Sequence, residues 1–426
     1  MQRQTIQFVI IAFALLAAPA SSSAASRATF NQDQVLLIDG HKLFPVGFTM
    51  PPPPDGLAPN GKPAYQELRE AGATFIRTGP NRPPGWDDDA FAAEQKYQDA
   101  AARYGLHCLP WLREATSPVG LPKTERRLGE DEREALLRKI IARFKDHPGM
   151  GLWKGADEPD WGKAPLEPLL RTYQMVHELD PHHPLWIVQA PRGSVESMRR
   201  YDPAYDVTGM DVYPISYPPG THSLLPNKQI SMIGDYTREM MQVAGRKPVW
   251  MTLQIAWSGV SKPGKTLRMP TFPQERFMAY EAIINGARGL IFFGGHVPQA
   301  WSPRDAALQW NWAFWERVLR PLVQEIGDHG PLAPALVAPN ASLPIRVEGA
   351  GAESIEFLAR ETDDALFILA CKREGSVVNV KFTGLPPGAA TAEVLFESPR
   401  KVQATDGAFT DWFAPFEVHV YRFARR

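Results

Sequence analysis

This chain of 426 residues is poor in several things. It has two cysteines, Cys108 and Cys371, and no Cys-x-x-Cys pair, no His-Glu-x-x-His and no Cys/His cluster of zinc spacing. That excludes a disulfide-framed scaffold and offers no ligand set for a metal, so no cofactor is expected. Both cysteines sit in apolar stretches, which predicts buried free thiols. The adjacent His182 and His183 fall in a polar turn, where adjacency is a poor ligand spacing. An excess of charge is also missing: 46 basic side chains against 47 acidic ones leave a net −1, with no basic block. A nucleic-acid partner would lack its electrostatic footprint. No long apolar run follows the first 25 residues, so no stable membrane insertion is expected.

What is present is core-forming material and proline. Hydrophobic residues make up 44% of the chain, including 12 Trp, which excludes general disorder. The 41 prolines are about twice the usual share of about 5%. They cluster after predicted strands (51–54, 80, 83, 84, 159, 191, 214, 218, 219, 270, 273, 298, 303), where they stiffen loops. Residues 1–25 read as an export signal: Arg3, an apolar run over 8–18, then small residues with cleavage sites near Ala20 or Ala25. The expectation is a periplasmic or extracellular protein.

After that segment, short apolar runs alternate with amphipathic stretches. Strands are predicted over 43–48, 74–78, 107–112, 151–156, 185–189, 207–213, 248–254 and 289–293. Helices are predicted over 64–71, 90–104, 131–145, 166–178, 229–244 and 274–285. Nearly continuous apolar strands with helical crossovers imply a buried parallel sheet. Eight such units fit a (β/α)8 TIM barrel over 26–329. A Pro-rich linker over 330–344 leads to 345–426, where short strands separated by turn residues predict an antiparallel β-sandwich.

In such a barrel the reactive residues come from the C-terminal ends of the strands. Those ends carry Arg77; Trp111 and Glu114; Asp157 and Glu158; Gln189; Asp211 and Tyr213; Gln254 and Trp257; and His296. Trp161 and Trp301 lie in the loops that follow. Carboxylates suit proton transfer to a glycosidic oxygen, indole faces suit pyranose C–H faces, and amides suit hydroxyls. A carbohydrate is therefore the expected partner. Trp312 and Trp315, at helical spacing, read as core.

The segment Trp153-Lys154-Gly155-Ala156-Asp157-Glu158-Pro159 resembles the strand-four acid/base segment of clan A glycoside hydrolases. The run from Tyr205 to Pro214 resembles their strand six, 248–251 their strand seven, and Gly286-Ala287-Arg288-Gly289 with Phe292-Phe293 their strand eight. The resemblance implies that Glu158 is the general acid/base, that Arg77 holds a second carboxylate, and that Tyr213 hydrogen-bonds it. One departure matters: strand seven ends in Gln254 where retaining members carry a glutamate nucleophile, and an amide cannot form the covalent intermediate.

Three readings follow. Another carboxylate, Asp211 or Glu114, serves as nucleophile or base. Alternatively, Asp157 and Glu158 work as in substrate-assisted N-acetylhexosaminidases, where the sugar's own acetamido group attacks. In the third reading the barrel binds glycans without cutting them. Glu275 and Glu281 are expected on a helix surface, behind a capping box of Thr271 and Gln274. Residues 259–266 match the phosphate-loop pattern, but Pro270 and Pro273 break the helix such a site requires, so nucleotide binding is not expected.

Overall fold

The computed structural model describes residues 25–116, 127–256, 268–298 and 301–425. The expected export signal up to residue 24, Trp257 and the stretch 259–266 lie outside them. Eight parallel strands follow one another around a ring in chain order. Five form a continuous ladder: His107–Pro110, Phe75–Thr78, Val46–Thr49, Gly289–Phe293 and Trp250–Gln254. Trp153–Asp157 pairs with Leu185–Val188. The remaining seams close through pairs of isolated parallel bridges: Cys108 to Met150 and Trp111 to Lys154, Trp186 to Val207 and Gln189 to Met210, and Thr208 to Val249 and Asp211 to Thr252. The sixth strand, 207–211, joins by such bridges alone. It lies so close to its neighbour that a Cβ on Gly209 would stand 1.6 Å from the Trp250 carbonyl oxygen. Glycine is what that approach requires.

Helices cover the outside, and their ends follow local chemistry. Asp88–Tyr104 begins where the Asp87 carboxylate accepts from the Ala90 N–H at 2.8 Å, and stops at Gly105 with φ 74°. Phe272–Ile284 starts with the capping box of Thr271 and Gln274. No helix among the described residues is long and apolar enough to cross a membrane.

One element was not legible in advance. Residues 41–43 do not extend the first barrel strand. They belong to a three-stranded antiparallel sheet of Ala28–Phe30, Leu36–Ile38 and His41–Leu43. Its apolar side packs with Phe75, Leu109, Trp186, Trp250 and Ile291, so it plugs the N-terminal end of the barrel. Function is left to the other end.

Two antiparallel sheets follow the barrel. One holds Arg346–Glu348, Val378–Thr383 and Phe409–Phe413; the other holds Ile355–Glu361, Ala365–Lys372, Val418–Ala424, Thr391–Leu395 and Arg400–Gln403. Strand Ala365–Lys372 is buried on both faces, and its period of two decides which side chain goes where. Leu366, Ile368 and Ala370 join the core between the two sheets. Phe367, Leu369 and Cys371 face the barrel core. Both cysteines are buried and free.

This packing corrects the expectation for Glu275 and Glu281. Both are fully buried: the C-terminal sheets cover the side of the helix Phe272–Ile284 that carries Glu281, and Glu275 is buried with neither carboxyl oxygen hydrogen-bonded among the described residues. Glu281 accepts from the Cys371 thiol at 2.8 Å, and burial pushes its carboxyl up to about 8. The Arg276 guanidinium donates to both Glu325 oxygens, at 3.0 and 2.8 Å, and to the Val418 carbonyl at 2.9 Å. Arg276→Ala leaves the buried Glu325 charge without its partner, at a cost of about 3–5 kcal/mol. The expected outcome is a markedly lower Tm, with faster amide exchange in Val418–Ala424. A melting curve superimposable on the parent's would show that this pair does not hold the sheets to the barrel.

Candidate active site

The C-terminal ends of the strands open onto a cavity of about 330 Å³. Seven of the residues singled out from sequence line it together: Arg77, Trp111, Asp157, Glu158, Trp161, Asp211 and Tyr213. Lys154, Trp186, Arg192, His222 and Phe293 join them without having been singled out. For Lys154 a signal existed, a lone charge inside an otherwise apolar strand.

Glu158 follows the fourth strand with φ 46°, an uncommon backbone conformation for a side chain of its size. Its N–H donates to the Val188 carbonyl at 2.8 Å, which tethers this turn to the fifth strand. Glu158 and Asp211 face each other with carboxyl oxygens within 4.8 Å, and Asp211 Oδ1 is buried without a hydrogen-bond partner among the described residues. Burial, helped by the charge of Asp157, pushes Glu158 up to about 7. Asp211 is pushed well above the carboxylate range by burial and by the charges of Glu158 and Asp157. Burial, helped by the charge of Asp211, pushes the Tyr213 hydroxyl well up. The Tyr213 ring lies stacked on His222 at 4.7 Å and on Phe293 at 5.3 Å, which holds it in place. Glu158, Asp211 and His222 also present ligand atoms within 4.8 Å of one another, the one group among the described residues that could hold a metal ion.

Two buried cations complete the floor. Lys154 Nζ lies 3.0 Å from Asp157 Oδ1 and donates to the Ala156 carbonyl at 2.8 Å. Burial lowers its pKa, and the charge of Asp157 opposes the shift. The Arg77 guanidinium lies over the Trp111 ring at 5.1 Å, and its Nη1 has no hydrogen-bond partner among the described residues. Trp161, by contrast, is 61% exposed at the rim, with its indole face open to a ligand.

The other expected site residues lie elsewhere. Glu114 is buried and accepts from the Trp86 N–H at 2.5 Å. Gln189 is fully buried, with Oε1 3.3 Å from the Asp160 N–H. His296 and Trp301 line a neighbouring cavity of about 410 Å³ that shares Arg77 with the first. Trp257 lies outside the described residues. Gln254 is a staple: it accepts from the Ile215 N–H at 2.9 Å and donates to the Ile215 carbonyl at 2.5 Å. It thereby ties the end of the seventh strand to the loop after the sixth. Gln254→Ala orphans both backbone groups and should cost about 1–3 kcal/mol in denaturant unfolding. Gln254→Glu should likewise destabilise and should not raise turnover. A Gln254→Glu protein that is both stable and faster would mean the position faces the reacting sugar.

No protein-family model and no curated protein matches this chain. Solved structures do match its fold. A glycoside hydrolase family 5 protein from Bacteroides vulgatus is 13% identical, with a TM-score of 0.65 over 93% of each chain. A GH30 endoxylanase from Clostridium papyrosolvens is 11% identical, with a TM-score of 0.52 over 94% of this chain and 100% of its own. An α-amylase from Anoxybacillus is 10% identical, with a TM-score of 0.54 over 93% of this chain and 99% of its own. At these identities the likeness is one of architecture: a (β/α)8 barrel followed by antiparallel β-sheets, spanning nearly the whole chain.

Proposed function

We propose that the protein hydrolyses O-glycosidic bonds of an oligo- or polysaccharide, with Glu158 as the proton donor. The observation that carries this reading is the Glu158–Asp211 pair. A carboxyl held up to about 7 keeps its proton on about half of the molecules at neutral pH and on most of them below it, and it lines a cleft where a glycosidic oxygen can reach it. Lys154 and Arg192, whose charges favour the ionised form of Glu158, stabilise the carboxylate left when the proton departs. Trp161 offers an exposed face for a pyranose ring. Structural neighbours of the same architecture include glycoside hydrolases. Export of the mature chain is part of this proposal and rests on residues 1–25 alone.

The second step has a geometric constraint. A nucleophile across the sugar needs about 5–5.5 Å between carboxyl groups, and an inverting base needs about 6.5–9.5 Å. Asp211 offers an oxygen within 4.8 Å of one from Glu158, short of either spacing, so it does not act from the opposite face. Asp157 is adjacent and paired with Lys154. No other carboxylate among the described residues lines the cleft. This favours a second reading of the attacking group, in which the substrate's own acetamido oxygen attacks and Asp157 orients it.

The sign of the pH dependence follows from the raised carboxyl. The protonated form is the active one, so kcat/KM falls as pH rises through about 7, as a macroscopic titration of the pair. Asp157→Asn removes a charge that raises Glu158, so this limb moves to lower pH. Glu158→Gln should lower kcat by about 10²–10⁴-fold with Tm unchanged. A screen of aryl glycosides of neutral, acidic and N-acetylated sugars supplies the assay. Full activity of Glu158→Gln would overturn the assignment. Saturable glycan binding with no release of reducing ends would make the barrel a binding scaffold.

A further inference from the structure

We infer that the sugar taken by this site carries a carboxylate, and that Arg77 is the residue that reads it. This names the substrate class of the site proposed above and rests on that reading. Arg77 is a buried cation without a carboxylate of its own. It is 8% exposed, and its Nη1 has no hydrogen-bond partner among the described residues. Of the acids beside it, Asp157 is paired with Lys154 at 3.0 Å, and Asp211, which burial pushes toward its neutral form, makes no ion pair with Arg77 among the described residues. The strand-seven end, where the resemblance places an acid, carries Gln254 turned onto the backbone of Ile215. Residues outside those described contain a single acidic side chain, Glu125. Burying a guanidinium without an anion is costly, and the cost is removed when a ligand supplies the anion.

The surroundings fit an anionic group. Arg77 stands between the cleft and the neighbouring 410 Å³ cavity, lining both. In the second cavity, His296 Nδ1 and Trp301 Nε1 are also buried without partners among the described residues. His296 is held down to about 4 by burial and by the charges of Arg77 and Arg82, so it stays neutral and presents one N–H. The acid in that wall, Glu94, already accepts from the Thr78 hydroxyl, the Gly79 N–H and the Gln98 amide, each at 2.8 Å. In the cleft, three cations (Arg77, Lys154 and Arg192) stand with three acids, and burial pushes two of those acids, Glu158 and Asp211, toward their neutral forms. Orphaned donors around a planar guanidinium match the planar, acceptor-rich carboxylate of a hexuronic acid.

The test uses the full-length Glu158→Gln protein, which binds without turning over. Tetrasaccharides of polygalacturonate, alginate and hyaluronan, each beside its carboxyl-reduced counterpart, are titrated by calorimetry. At least one hexuronate should bind about 10- to 100-fold more tightly than its reduced form. Adding Arg77→Gln should abolish that preference. Arg77→Lys, which keeps the charge and loses the fork, should weaken it if the Gln variant does not fold. Equal affinity across every pair, or a preference that survives Arg77→Gln, overturns the inference. So does tighter binding of a sulfated oligosaccharide than of any hexuronate. Reducing-end release by the unmodified protein separates this inference from the hydrolase reading. Hexuronates bound through Arg77 but left uncut sustain the inference and remove the hydrolase reading. Neutral sugars cut while hexuronates are ignored do the reverse.

Discussion

Eight parallel strands close into a ring once Gly289–Phe293 lies beside Val46–Thr49, and that closure brings the ends of strands two, four and six to one mouth. Arg77, Lys154, Asp157, Glu158 and Asp211 are up to 134 positions apart in the chain and share one cleft for this reason. The ring also shields them. Desolvation is the leading cause of the shift at Glu158, Asp211, Lys154 and Arg77 alike. For the acids it favours the neutral form, and for the cations it opposes charge. A floor of mixed charges is tolerable in such a place only if each group finds a partner.

Lys154 finds one in Asp157, and Glu158 and Asp211 face each other as carboxyls that burial pushes toward the neutral form. Tyr213 lines the cleft with them, its ring held against His222 and Phe293. Arg77 has no ion-pair partner among the described residues, and its Nη1 is buried without a hydrogen bond. The Gln254 amide serves the backbone of Ile215 and not the arginine. Placing the outer cover of the barrel helices under the C-terminal sheets keeps the charged pairs Arg276–Glu325 and Arg373–Asp235 away from this mouth.

Much of the architecture was legible because each barrel strand is a short apolar run bounded by turn residues. Helix starts were legible where a cap is local, as at Thr271 and Gln274. The N-terminal plug was not, because three-residue strands such as His41–Leu43 carry too little pattern to be separated from the strand that follows. Glu275 and Glu281 were misplaced for another reason. A helix in a barrel normally shows its charged face to water, and at Glu281 the sheets folded over the helix make that face interior. Within the site, the carboxylates at strand ends were legible by position, whereas Lys154 was hidden inside its strand and His222 inside a long loop.

By itself, then, the sequence determined the order of strands and helices and the chemistry standing at each strand end. Those follow from local patterns: apolar periodicity, turn residues and caps. Only the tertiary structure decided which of those groups meet. That Glu158 faces Asp211, that Gln254 turns onto backbone, and that Arg77 Nη1 is left without a partner among the described residues all depend on strand stagger and side-chain direction across the ring. Neither is encoded in any one strand, because each is set by the neighbours that closure supplies.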